Sequence, residues 1–242
     1  LLIPFLQQCI QLLLLPIHVL VCLGLWDSVY TKIFPYTMVN VAPIYNHKVY
    51  KLFSNFRKLA GPSGQLTLLE IGTRTSTNLQ FYPLGCRLTG TDTDPNFTKF
   101  LLKSLSENEH LELDHSVAAC GEDLHQIPDS TVDVVACTLV LCSVTDKKKA
   151  VMEALRVLRL GSARQGGAFY LELVAADPSS WAYFWQKICD PAWKYFGDGC
   201  SSSRETQKEL EEINFSELHL RCIHATPYWI PTSPHITGYA VK

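Results

Sequence analysis

The order of apolar and polar positions divides the chain in two. From Leu1 to Trp26 no charged residue occurs, and Leu12, Leu13, Leu14, Leu15, Ile17, Val19, Leu20, Val21, Leu23 and Leu25 make the run apolar on every side. About 20 such residues suffice to cross the hydrocarbon core of a bilayer. Pro4 and Pro16, with Gln7, Gln8, Gln11 and His18, interrupt the run, so both a spanning helix and an in-plane hairpin satisfy the pattern. A cleaved signal peptide fits less well, because neither a basic stretch before the run nor a small-residue cleavage site after it is visible.

From residue 66 the pattern changes to brief apolar runs separated by amphipathic stretches, which predicts βαβ units and a mainly parallel sheet. The expected strands are Leu66 to Ile71, Arg87 to Thr91, Glu112 to Val117, Val132 to Leu139 and Ala168 to Val174. Helices are expected over Asn96 to Ser106 and over Lys147 to Leu158, the latter capped by Thr145. A third helix carries Trp181, Phe184, Trp185 and Ile188 at helical spacing and should break near Pro191. Leu218 to Ala225 and His235 to Val241 read as two strands that pair antiparallel at a sheet edge. The expected division is a hydrophobic anchor (1–26), a juxtamembrane linker and helix (27–60) and one α/β domain (61–242).

Charge orients the anchor. Lys32, Lys48, Lys51, Arg57 and Lys58 face Asp27 alone between Asp27 and Lys58, which by the positive-inside rule puts that side in the cytosol. Tyr30, Phe34, Tyr36 and Tyr45 beside Lys32 have the composition of an interfacial aromatic belt. The formal charge of −2, with basic residues scattered, argues against a nucleic-acid partner. Nine cysteines at no metal or redox spacing are expected to be reduced thiols, and eight dispersed histidines form no HExxH pair, so no metal is expected.

In an open α/β sheet ligands bind beyond the carboxyl ends of the strands, at the switch point. After the first strand stand Glu70 and Gly72 in LLEIGTRTSTN; after the second stands Asp92, 22 residues beyond Glu70. That interval suits an acid that accepts hydrogen bonds from both ribose hydroxyls of a bound nucleoside. GEDLHQ places Glu122 and Asp123 where they can meet an adenine amino group, and DVVACTLVLCS runs from Asp133 to an end near Thr138. Trp181, Phe184, Trp185 and Trp193 are expected to wall an apolar pocket that opens toward the membrane.

Several segments resemble the methyltransferase-like protein 7 group of thiol S-methyltransferases over nearly the whole chain: LFSNF, AGPSG, LTLLEIG, FYPLGCR, VDVVACTLVLCSV, YFWQKICDPAW, FGDGC and PHITGYAVK. The resemblance implies a class I S-adenosylmethionine-dependent methyltransferase fold, Rossmann-like with a mainly parallel seven-stranded sheet, on an N-terminal membrane anchor. It also implies the endoplasmic reticulum and lipid-droplet membranes as location, S-adenosyl-L-methionine as cofactor, and a small-molecule thiol and membrane lipid as partners. The implied cofactor contacts are Glu70, Gly72, Thr73, Asn78, Asp92, Thr93, Glu122, Asp123 and Thr138.

The chain departs from that family pattern in three places. Of the three glycines expected after the first strand, Gly72 remains, and Arg74 and Ser76 replace the others. Residues 160–165 include an insertion, and Leu173 stands where the family has a histidine. Glycine serves where φ is positive or the backbone must approach a ligand, so Arg74 and Ser76 are expected to weaken cofactor binding. This favours, as a rival, a non-catalytic membrane protein that keeps the fold. A nicotinamide-dependent Rossmann enzyme would need glycines where Arg74 and Thr77 stand. Methyl transfer to a partly ionised thiol depends mainly on alignment, and the sequence singles out no catalytic residue.

Overall fold

The strands β1 (Leu66–Ile71), β2 (Cys86–Asp92), β3 (Glu112–Ala118), β4 (Val134–Thr138), β5 (Gly167–Leu173), β6 (Glu217–His224) and β7 (Pro234–Val241) form one sheet in the order β3-β2-β1-β4-β5-β7-β6. The computed structural model describes residues 2–36, 52, 53, 56, 65–159, 166–225 and 230–242. The 160–165 insertion, Tyr45, Lys48, Lys51, Arg57 and Lys58 lie outside them. β1 to β5 run parallel, and β7 pairs antiparallel with both β5 and β6. Parallel strands covered on both faces read as continuous apolar runs, and β4 and β5 are buried along almost their whole length.

The expected strands all form, shifted by one or two residues at their ends. Val132 stays outside β4 as an isolated bridge to Leu158. One face of the sheet packs Leu69, Ile71, Val135 and Tyr170 with α5 (Lys147–Val157); the other packs Leu68, Leu88, Val134 and Phe169 with Phe53 and Phe56. The cap of α5 is Asp146, whose side chain accepts from the Lys149 amide at 2.9 Å, in place of the expected Thr145. α4 (Thr98–Glu107) follows a 3-10 turn at Pro95–Phe97, and α7 (Thr206–Glu211) is a short helix that the pattern did not suggest.

The apolar N-terminus forms α1 (Leu2–Leu13) and α2 (Leu15–Cys22), bent by 59° just before Pro16, and a further helix, α3, covers residues 26–36. No single described helix is long and apolar enough to cross a membrane, but this bent pair passes together. α1 packs along α6 (Trp181–Phe196), which continues through Pro191 instead of breaking there. The reason is local. Proline 191 has no N–H for the Lys187 carbonyl four residues earlier, and the Gln7 side-chain amide of α1 donates to that carbonyl at 2.7 Å. His18 and Trp26 also lie against Tyr195.

Candidate active site

The strand order reverses between β1 and β4, and a cleft of about 650 Å³ opens there beyond the carboxyl ends of the strands. Gly72, Thr73, Asn78, Asp92, Thr93, Glu122 and Thr138, all expected from the sequence, line it. Glu70 and Asp123 do not. Glu70 is buried behind the turn and accepts from the Asn78 amide at 2.8 Å, so it reaches the cleft only through Asn78. Burial pushes its carboxyl up to about 7, against the hydrogen bonds that hold it down. Asp123 turns outward to His125, 2.9 Å away.

The turn after β1 takes the conformation that glycines would take without cost. Gly72, Arg74 and Ser76 have φ of 72°, 44° and 54°. At Gly72 a Cβ would stand 2.8 Å from Val140 Cγ2, so any side chain there would require Val140 to shift. Left-handed backbone costs non-glycine residues about 1–2 kcal/mol each. Leu139 (φ 58°) and Asp198 (φ 53°) share this strain, and with Arg74 they line the cleft. Strain of this kind gathers where a site over-determines the backbone.

Asp92 ends β2. Its carboxylate accepts from the Arg74 amide at 2.8 Å and from the Asp94 amide at 3.1 Å. The Arg74 guanidinium lies 3.8 Å from the same carboxylate, pairs with Asp198 across the cleft, and sits 5.0 Å from the Phe97 ring centroid. Asp198 is placed by the turn after α6, which Asp190 fastens by accepting from the Ser202 amide at 2.7 Å. Glu122 accepts from the Asp146 amide. The Thr138 hydroxyl is buried at the cleft wall without a protein partner among the described residues.

α3 roofs this end of the cleft. Thr31 donates to Asp94 at 3.0 Å, Phe34 meets Phe97 edge to face, and Trp26, Tyr30, Ile33 and Phe34 line the cavity. The expected aromatic wall is corrected in part: Trp193 lines the cleft, while Trp181, Phe184 and Trp185 cluster together outside it. Phe184 and Trp193 are nine residues apart, about half a turn round the helix, so one helix cannot present both to one cavity. The roof and Phe196 supply the aromatics instead.

At the other end stand Leu173, Trp193, Cys200, Ile230, Thr232 and His235. Leu173 and His235 face each other in the β5–β7 pair. The buried Glu172 carboxylate shapes the wall from behind, accepting from the Val140 amide at 3.1 Å and the Cys142 amide at 3.3 Å; burial pushes it up to about 8. The expectation of nine free thiols is corrected for one pair, since Cys142 and Cys200 form a disulfide across 58 residues. Sequence reasoning also missed Asp198, His235 and the α3 roof. The GDG turn at 197–199 was a visible signal for the first, and α3 gave none, because its aromatics read equally as a belt.

The polar end fits a nucleoside-bearing cofactor: an acid at the end of β2, an acid after β3, a turn held in glycine-like geometry, and an orphaned hydroxyl at the end of β4. Fold and cleft together define a class I methyltransferase. A methyltransferase domain model matches residues 69–164. Human thiol S-methyltransferase TMT1A (Homo sapiens) is 51% identical over 91% of this chain and 90% of its own length, and TMT1B (Homo sapiens) is 46% identical over 100% and 99%. The chain belongs to this thiol S-methyltransferase family. Among solved structures it is similar to the N-methyltransferase NodS from Bradyrhizobium japonicum, in complex with S-adenosyl-l-homocysteine (TM-score 0.55, 15% identity, 83% of this chain and 88% of that one). It is also similar to the [4+2]-cyclase SpnF (TM-score 0.58, 15% identity, 81% and 80%). These two likenesses concern the fold.

Proposed function

We propose that the chain transfers a methyl group from S-adenosyl-L-methionine to the sulfur of small alkyl thiols, on the cytosolic side of the endoplasmic reticulum membrane and lipid droplets. The observation that carries this reading is a single cleft, polar at the β1–β2 end and apolar at the β5–β7 end, in a chain whose relatives, matched over 90% and 99% of their length, are named thiol S-methyltransferases. Asp92 would hold the ribose, Glu122 the adenine, and the turn at 72–76 the amino-acid portion, with Thr73, Asn78, Thr93 and Thr138 completing the contacts. Bound there, S-adenosylmethionine supplies an activated methyl group on a sulfonium. The chain supplies alignment and a dry apolar wall, and it excludes water with α3.

Membrane association is supported by the apolar N-terminus, where α1, α2 and the turn after them leave Leu12 (71% exposed), Leu13 (80%), Leu15, Val19, Leu23 and Leu25 uncovered. Because the pair is bent and α1 packs on α6, we place it in the plane of the interface, with the apolar end of the cleft drawing its thiols from the lipid phase. A second reading, a methyltransferase fold that has lost turnover, is favoured by Arg74, whose guanidinium bridges Asp92 and Asp198.

Full-length chain in phospholipid nanodiscs, given S-adenosylmethionine and a series of alkyl thiols, decides between the two. Equal amounts of methyl thioether and S-adenosylhomocysteine are expected. Binding of S-adenosylhomocysteine without product from any thiol would establish the second reading.

A further inference from the structure

We propose that His235 is the general base that takes the proton from the acceptor thiol; this rests on the thiol methyltransferase reading of the cleft. An alkyl thiol is mostly protonated at neutral pH, and the thiolate is the nucleophile, so a base beside the acceptor raises the reactive fraction. His235 is buried, with 1% of its surface exposed, and lines the apolar end of the cleft with Leu173, Trp193 and Cys200. Its Nδ1 lies 2.8 Å from the Ser233 carbonyl, an oxygen that can only accept. Nδ1 therefore carries the proton, and in the neutral ring Nε2 is the atom that accepts one.

The carboxylates at the cleft are engaged elsewhere. Asp92 accepts from two backbone amides, Glu122 from the Asp146 amide, and Asp198 pairs with Arg74. Cys200 is in the disulfide, and Glu172 accepts backbone amides on the wall's far side. Register also places the imidazole at the reacting end. Thr138 of β4 pairs with Leu171 of β5, and His235 of β7 pairs with Leu173, two residues further toward the open edge. Two strand spacings and the two-residue offset, together about 12 Å, thus separate Thr138 at the donor side from His235, with room for an acceptor sulfur between them.

In the step, the thiol S–H bond breaks and its proton goes to Nε2. The sulfur pair forms the new bond to the methyl carbon while the donor's carbon–sulfur bond breaks and leaves a neutral thioether. The imidazolium then returns its proton to solvent.

His235→Asn tests this, because the Asn amide can still donate to the Ser233 carbonyl but offers no base. The variant should bind S-adenosylhomocysteine as the parent does. With an alkyl thiol its rate should fall roughly 10²-fold or more. With an acidic aryl thiol, already ionised at neutral pH, the rate should hardly change. A readout without turnover accompanies this: in the S-adenosylhomocysteine complex, the ¹³C-labelled His235 resonance, identified by its absence in the variant, should move toward the imidazolium position when alkyl thiol is added. An equal loss on both thiols, or none on either, would overturn the assignment and leave the proposed function standing. If the parent methylates neither thiol, the proposed function falls and this inference with it.

Discussion

Replacing Arg74 by glycine should tighten cofactor binding. In the structure its guanidinium pairs with Asp198, lies 3.8 Å from the Asp92 carboxylate, and packs on Phe97. A ribose that claims Asp92 must displace it. The side chains are partly exposed, 21% for Arg74 with 10% and 39% for its partners, so each ion pair contributes only about 0.2–1 kcal/mol after screening. The cation–ring contact adds about 0.5–1 kcal/mol. The displacement therefore costs about 1–3 kcal/mol, roughly a 5- to 150-fold weakening of affinity. The left-handed strain at residue 74 does not enter, because the turn carries it with and without ligand. Arg74→Ala should accordingly gain as much affinity as Arg74→Gly while being the less stable of the two. Calorimetric titration of S-adenosylhomocysteine into the three proteins in identical nanodiscs reads this directly. Unchanged affinity would refute the displacement argument, and weaker affinity would show that the guanidinium holds the cofactor's carboxylate.

Other substitutions test other joints of the structure. Ser76→Gly relieves a left-handed φ and removes a buried hydroxyl with no partner among the described residues, against a backbone-entropy cost of about 0.5–1 kcal/mol; net stabilisation of about 1 kcal/mol should raise Tm by roughly 2–4 °C, and a lower Tm would contradict it. Gln7→Ala should cost about 1 kcal/mol in the parent, where Lys187 loses the donor that replaces Pro191's missing N–H, and much less alongside Pro191→Ala, so an additive double-mutant cycle would dismiss that link. Glu172 and Glu70 sit at about 8 and about 7 in the fold against an ordinary 4.5. The native state thus binds more protons than the unfolded chain between these values, and stability should fall as pH rises from about 5 to 8. Chemical denaturation of Glu172→Gln should show a shallower fall than the parent, and an identical slope would reject the raised Glu172. Leu12→Glu with Leu13→Glu should release the chain from vesicles in flotation without changing its circular dichroism, and undiminished binding would remove α1 from the membrane face.

The strands were legible because a parallel sheet covered on both faces demands unbroken apolar runs, and the switch-point rule then pointed to the loops that carry Gly72, Asp92 and Glu122. What escaped depends on contacts between distant segments. Helical spacing shows that Trp181, Phe184 and Trp185 share a face with Ile188 but not which cavity that face meets. The carbonyl that Pro191 leaves without its helical donor is satisfied by Gln7, which lies 180 residues away in α1. The Cys142–Cys200 pair has no spacing signature, and His235 gains its place from antiparallel register with Leu173. The altered turn was read correctly as a glycine-demanding one; the sequence could not show that Arg74 and Ser76 adopt that geometry.

The central claim is that the cleft at the β1–β4 switch point is an S-adenosylmethionine site in spite of Arg74. It is tested most directly by titrating S-adenosylhomocysteine into the full chain beside Asp92→Asn. Saturable binding at one site is expected and, for the variant, an affinity weaker by about 1.5–3 kcal/mol, roughly tenfold to a hundredfold. Absence of saturable binding to the parent, or equal affinity in the two proteins, would contradict it.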